Sequence, residues 1–242
     1  AASGSTTRVL RNSDQPLVEV LHADGFVEEV LAAHGVVADG AERRRRILRD
    51  AAELAGSVGG SIDVEADGAV LDEVTNLVEN PQVILGSFDE AYLRLPPEVL
   101  TVVMKKHQRY LPVRDASGEM LAHFVSVANG PIDEDAVREG NEAVLRARYA
   151  DAAFFFDRDR EQTLESFRPL LDKLVFEARA GSMLQRADRI EALAVRLGEL
   201  LEVSDEDAAT IARAAHLAKA DLSTSLVVEL SSLAGQLGRV YA

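Results

Sequence analysis

Cysteine and tryptophan are both missing from the 242 residues, and only 5% of them are aromatic. Without cysteine there is no disulfide, no thiolate nucleophile and no cysteine-ligated zinc, so a reducing compartment is permitted but not required. Sparse aromatics leave no platform on which RNA bases could stack. No apolar run reaches the roughly 18 residues that a membrane-spanning helix needs. Nor does any stretch near the N-terminus join a basic start to an apolar core, as a secretory signal does. Basic residues are in deficit: 26 Lys and Arg against 41 Asp and Glu give a net charge of −15. Phosphates are met by Lys and Arg, so a chain this acidic reaches RNA only through a local basic patch or with help from elsewhere. Neither DNA nor a membrane is expected as a partner.

What is present reads as a soluble globular protein, 47% hydrophobic and 28% charged, long enough for two ordinary domains. Residues 1–7 carry no structural signal and read as a linker or cloning remnant. Val36 to Gly40 suggests a brief strand and turn. A helix over about 41–55 is drawn by Ile47, Leu48, Ala51, Ala52, Leu54 and Ala55, and Gly56, Gly59 and Gly60 end it. Arg43, Arg44, Arg45, Arg46 and Arg49 crowd that helix. Four consecutive arginines span a full turn, so they cannot face one ligand; a solvated face with packed aliphatic stems is the favoured reading over an RNA patch.

Short β-branched and aromatic runs follow at Gln82–Phe88, Arg109–Val113 and Leu121–Val127, the last two joined by the turn Asp115-Ala-Ser-Gly118 as a hairpin. Pro97 opens a helix that reaches about Lys106. After Pro131 every remaining stretch reads as helix. Asp133, Glu134 and Asp135 form an acidic first turn for a helix to Phe156. A second is drawn by Phe167, Leu170, Leu171, Leu174 and Val175, and a third by Ile190, Leu193, Leu197, Leu200 and Leu201. The last opens at Ser204 with Asp207, and carries the small-residue stripe Ile211, Ala214, Ala215, Ala218 and Leu222. The fold class is therefore α+β, with a mixed α/β domain over residues 8–162 and a helical domain over 163–242.

Catalytic chemistry is thinly supported. His22, His34, His107, His123 and His216 are scattered, and no HExxH, P-loop, GxGxxG or GxSxG motif occurs, so neither a metal site nor a catalytic residue is assigned. His216 alone on a helix reads as a packed or surface residue. Two basic segments stand out. Met104-Lys-Lys-His-Gln-Arg-Tyr-Leu-Pro112 holds Lys105, Lys106 and Arg109 at a helix-to-strand junction. Asn141 to Asp151 holds Arg146 and Arg148 on a helix. These five cations suit RNA phosphates or a carboxylate-rich partner. The competing reading ties Arg146 and Arg148 to Asp151, Asp157 or Glu142 within the domain.

Six segments carry a resemblance. They are Val37-Ala-Asp-Gly-Ala-Glu-Arg43, Leu71-Asp-Glu-Val-Thr-Asn-Leu-Val-Glu-Asn80, the run Met104–Pro112, Phe124-Val-Ser-Val-Ala-Asn129, Gly140-Asn-Glu-Ala-Val-Leu-Arg-Ala-Arg-Tyr-Ala-Asp-Ala-Ala-Phe-Phe-Phe156 and Leu217-Ala-Lys-Ala-Asp-Leu-Ser-Thr224. In number, order and spacing they resemble the β subunit of bacterial-type glycyl-tRNA synthetase, or the matching part of the fused organellar enzyme, from about Val36 to Ala242. The resemblance implies a domain similar to the B3/B4 domain of phenylalanyl-tRNA synthetase followed by a helical HD-like domain. It also implies a tRNA-handling segment of glycine–tRNA ligase, a class II synthetase that attaches glycine to tRNA(Gly) with ATP and Mg, while this fragment itself holds no cofactor. The partners implied are tRNA(Gly) and the α subunit, or an α-like region, which carries the catalytic core outside this fragment.

The chain departs from the family pattern at Asn80-Pro81, at Glu229-Leu230-Ser231 and at Ala220-Asp221. HD hydrolases bind metal through an adjacent His-Asp pair, and here Asp221 follows an alanine, so the resemblance implies an HD-like fold without its metal chemistry. An active HD-type phosphohydrolase and a protein-interaction scaffold are the alternative functions. The wording around Ala128–Asp135 and Asn141–Tyr149 is similar to plastid versions. It implies a chloroplast location with the mitochondrion as a second compartment, and bacterial cytoplasm as the alternative.

Overall fold

A computed structural model describes residues 4–242. The chain forms two compact units, one ending at Tyr149 and the other running from Ala150 to Ala242. This break lies inside a long helix, Glu134–Arg160.

The first unit opens with β1 (Thr6–Arg8) and β2 (Leu17–Glu19), an antiparallel pair. Thr6 and Thr7 are thus strand residues and not linker; Ala1, Ala2 and Ser3 lie outside the described residues. Val36–Gly40 is not a strand. Val37 N–H donates to the Glu79 carbonyl at 2.8 Å, and Asp39 caps the next helix by accepting from Ala41 N–H.

That helix, α1 (Gly40–Ser57), lies against α2 (Gly68–Leu77) and one face of a three-stranded antiparallel sheet. The strands are β3 (Pro81–Ser87), β4 (Leu111–Arg114) and β5 (Met120–Asn129), in spatial order β3-β5-β4. The expected β4–β5 hairpin forms, and β3 adds to the free side of β5. Ile47, Ala51 and Ala55 of α1 meet Val70, Leu71 and Val74 of α2 and Leu111, Val113 and Val125 of the sheet. Ala52, expected in that stripe, is exposed.

Phe124 points to the other face of β5, since successive strand side chains alternate. There it stacks on Tyr110 with ring centroids 4.6 Å apart. Gly86 is paired opposite Phe124, and a Cβ there would lie 2.3 Å from the ring, so the strand needs a glycine. A short α3 (Pro97–Val102) widens into a π-helical stretch over Val103–Gln108, in line with the proline-initiated helix. The long helix α4 (Glu134–Arg160) anchors its first half to β3. Arg138 Nε donates to the Leu85 carbonyl, Glu142 accepts from Ser87, and Tyr149 donates its hydroxyl hydrogen to the Leu100 carbonyl at 3.2 Å.

The second unit is helical apart from one two-stranded hairpin. After α4 come α5 (Leu164–Phe167) and a 3₁₀ stretch over Arg168–Lys173. The continuous helix expected through Val175 does not form. Arg168, before Pro169, keeps helical backbone at φ −56° and ψ −46°, and the helical path stops at Leu174, whose backbone is extended at φ −96° and ψ 113°. Val175 lies instead in β6 (Val175–Glu177), paired with β7 (Gly181–Ser182). Then follow α6 (Met183–Leu200), α7 (Asp205–Leu217), α8 (Ser225–Glu229) and α9 (Gln236–Tyr241). Ser204 caps α7 together with Asp207, as its sequence suggests.

The α6 leucines face the opposite way from expectation. Leu193, Leu197, Leu200 and Leu201 are between 56% and 70% exposed, while Ala187 and Gly198 are buried. Small residues let α6 approach its neighbours closely, which turns the leucine arc to solvent.

Candidate RNA-contacting surface

The five cations singled out by sequence divide into two kinds. Lys105 lies on the π-helical stretch, where its Nζ sits 2.5 Å from Asp67 and donates to the Ala66 carbonyl at 2.7 Å. The Asp67 side chain is only 3% exposed. Burial raises the Asp67 carboxyl above its ordinary value, and Lys105 opposes that rise. Arg109 adopts a left-handed φ of 58° that ends the helical stretch, and its Nε lies 2.5 Å from Glu73 of α2. Both cations therefore tie the Met104–Pro112 segment to α2 and the loop before it.

Lys106, Arg146 and Arg148 are exposed, and among the described residues they make no ion pair. The internal bridges from Arg146 and Arg148 to Asp151, Asp157 or Glu142 do not form; Glu142 is occupied by Ser87. Arg146 and Arg148 are two residues apart, which sets them roughly 200° apart around α4. They border the buried arc of Leu145 and Tyr149 on opposite sides. One flat surface cannot meet both; an extended polyanion that wraps the helix can.

The arginines of α1 follow the solvated-face reading. Arg43 donates to the carbonyls of Thr75, Val37 and Ala38. Arg44 pairs with Asp72, Arg45 and Arg46 share Glu42, and Arg49 pairs with Asp50.

A cluster in the second unit has no signature in the sequence. His216 of α7 meets Glu165 through Nε2 at 2.5 Å and Glu191 through Nδ1 at 3.0 Å. Arg213 pairs with Glu165, and Arg168 reaches Asp188 and Glu191 at 2.8 Å each. Glu165 raises the His216 pKa first, with Glu191 adding to it; His216 and then Arg213 lower that of Glu165. The partners lie 25 and 51 residues from His216 in sequence, so no local spacing reveals them. Elsewhere, Asp221 is buried and accepts from Gly235 N–H, while Ala220 offers no ligand atom. That pair does not fit a metal: the one carboxylate is engaged by backbone, and three or more ligands are normally needed.

A family model described as glycyl-tRNA synthetase beta subunit matches residues 1–242. An Arabidopsis thaliana protein named glycine–tRNA ligase, chloroplastic/mitochondrial 2, is 39% identical over 241 residues, covering 100% of this chain and 22% of its own length. The glycine–tRNA ligase beta subunit of Mannheimia succiniciproducens is 40% identical over 242 residues, 100% of this chain and 34% of that protein. The beta subunit from a Janthinobacterium species is 42% identical over 226 residues, 93% of this chain and 32% of that protein. The chain thus spans about a third or less of the relatives it matches.

Proposed function

Since the chain belongs to the glycyl-tRNA synthetase beta subunit family, we propose that it is a tRNA-handling segment of glycine–tRNA ligase. The adenylate-forming core, with its ATP and Mg, lies outside these residues, in an α subunit or α-like region that is this segment's partner. The observation that carries the reading is the family match over the whole chain, joined by three exposed cations on its two most distinctive motifs. Phosphate neutralisation requires cations that internal carboxylates have not already neutralised. Lys106, Arg146 and Arg148 meet that requirement, whereas Lys105 and Arg109 hold the motif in place and contribute at most secondarily to RNA.

The first unit is read as B3/B4-like and the second as HD-like without phosphohydrolase chemistry. Support for the latter is the backbone-engaged Asp221 beside Ala220. The compartment assigned is the plastid, shared with the mitochondrion, in keeping with the name of the Arabidopsis relative; imaging of a tagged full-length protein in the bacterial cytoplasm would displace that assignment.

The test is aminoacylation of tRNA(Gly) by the complete enzyme, with ATP–pyrophosphate exchange measured alongside. Replacing Lys106, Arg146 and Arg148 together by Ala should raise KM for tRNA and leave glycine-dependent exchange unchanged. Exchange by this chain alone would refute the division of labour.

A further inference from the structure

The α6 leucine arc belongs to no site described above. Ile190, Leu193, Leu197 and Leu200 repeat at alternating spacings of three and four, the seam along which one helix packs on another. Leu193, Leu197 and Leu200 are 70%, 56% and 66% exposed. The arc continues onto the hairpin beside the helix N-terminus. There Phe176 is exposed and the Arg186 guanidinium lies 4.2 Å from its ring centre. Contiguous apolar surface of this kind, edged by polar residues, marks an interaction face.

Charge on α6 is segregated around the axis. At 100° per residue, Arg189 and Arg196 fall along one border of the leucine arc, seven residues apart and so nearly in line. Asp188, Glu191 and Glu199 lie away from the arc, beyond the arginines or towards the packed face, where Glu191 meets His216 and Arg168. The border of the seam is therefore basic within a chain of net charge −15, with Arg189 making no ion pair among the described residues and Arg196 held only in an exposed pair with Glu199 at 3.0 Å, weak enough for a partner's carboxylate to displace.

We propose that this face docks an amphipathic helix of a partner protein, with leucine-like side chains in the α6 seam and carboxylates two turns apart opposite Arg189 and Arg196. From Ile190 to Leu200 the seam runs straight for about 15 Å, nearly three helical turns, which suits another helix better than a loop. A second copy of α6 fits poorly. Antiparallel pairing sets arginine against arginine, and parallel pairing sets Arg189 against Ala194 and Arg196 against Leu201, so neither supplies a carboxylate.

The test uses two designed three-heptad peptides, both with leucine at the core positions, one flanked by glutamates and its twin by lysines. Binding to this protein is followed by fluorescence anisotropy at low ionic strength. The glutamate peptide should bind roughly tenfold tighter than its twin. Arg189→Glu with Arg196→Glu should reverse that order, and Leu197→Gln should abolish binding of both at an unchanged melting temperature. Because Arg189 also donates to the Ala180 carbonyl, Arg196→Glu alone serves as the second variant and should narrow the preference by itself. Equal affinity for the two peptides, or no binding, would overturn the proposal. So would a wild-type dimer in sedimentation that Leu197→Gln dissolves, or co-sedimentation with phosphatidylserine vesicles.

Discussion

Lys105 and Asp67 form an ion pair at 2.5 Å with the lysine side chain 20% and the aspartate 3% exposed. A motif lysine that looks like an RNA ligand is thus the counter-charge of a buried carboxylate. The second oxygen of Asp67 has no hydrogen-bond partner and is shut off from solvent, so the lysine is what offsets the cost of burying that charge.

Lys105→Ala should therefore destabilise the first unit by about 3 kcal/mol at neutral pH, because it leaves a buried charge uncompensated. Lys106→Ala should leave the melting temperature within a degree or two. The Asp67 carboxyl is already raised by burial and rises further without Lys105. A group raised in the folded state supports stability below its unfolded value, near 3.8, and loses that support as pH climbs through the folded value. The Lys105→Ala deficit should accordingly shrink as pH falls towards that value. Equal melting of the two variants at pH 7 would contradict this assignment.

Salt dependence separates RNA binding from structural pairing. Removing one phosphate-neutralising cation should reduce the slope of log affinity against log salt by about 0.7–0.9. Lys106→Ala in the complete enzyme should show that change with unchanged melting. Arg146→Ala and Arg148→Ala, made singly, report on opposite sides of α4. Three unchanged slopes would remove RNA from this surface.

Gly86→Ala should cost about 1–3 kcal/mol, since its methyl group would press into the ring of a fully buried Phe124. The measurement is the urea midpoint at constant m-value. A neutral result would mean that the Phe124–Tyr110 stack shifts freely.

His216 should confer a bounded pH window on the second unit. Its raised pKa gives a contribution fully present below 6.5 and lost as pH rises through the higher folded value. Glu165, lowered, contributes above 4.5 and loses that contribution as pH falls through its lower folded value. The melting difference between wild type and His216→Gln should be largest between about pH 4.5 and 6.5 and fade on both sides. A difference independent of pH would show that packing, and not charge, holds α5, α6 and α7 together here.

Several elements are legible without coordinates. The stripe of Ile47, Ala51 and Ala55 in α1, the β4–β5 hairpin around its Asp115–Gly118 turn, and the Ser204 cap all follow from local periodicity and turn chemistry. Residues within a turn or a strand of each other carry such signals. The pairing of Thr6–Arg8 with Leu17–Glu19 and the hairpin of β6 and β7 are not legible, because strands of three residues or fewer are too short to show alternation.

The sequence by itself determined the family, the mixed character of the first unit and the helical character of the second, since motif order and apolar spacing are properties of the chain. Only the tertiary structure decided which cations are spoken for. Lys105 and Lys106 are neighbours with the same side chain, yet one is held by a buried aspartate and the other stands in solvent. It also decided which face of α6 is outward: apolar spacing marks a stripe but not its direction, and Ala187 and Gly198 took the packed side because only small residues allow close helix approach. Charge compensation and steric fit act between residues far apart in sequence, where local pattern has no reach.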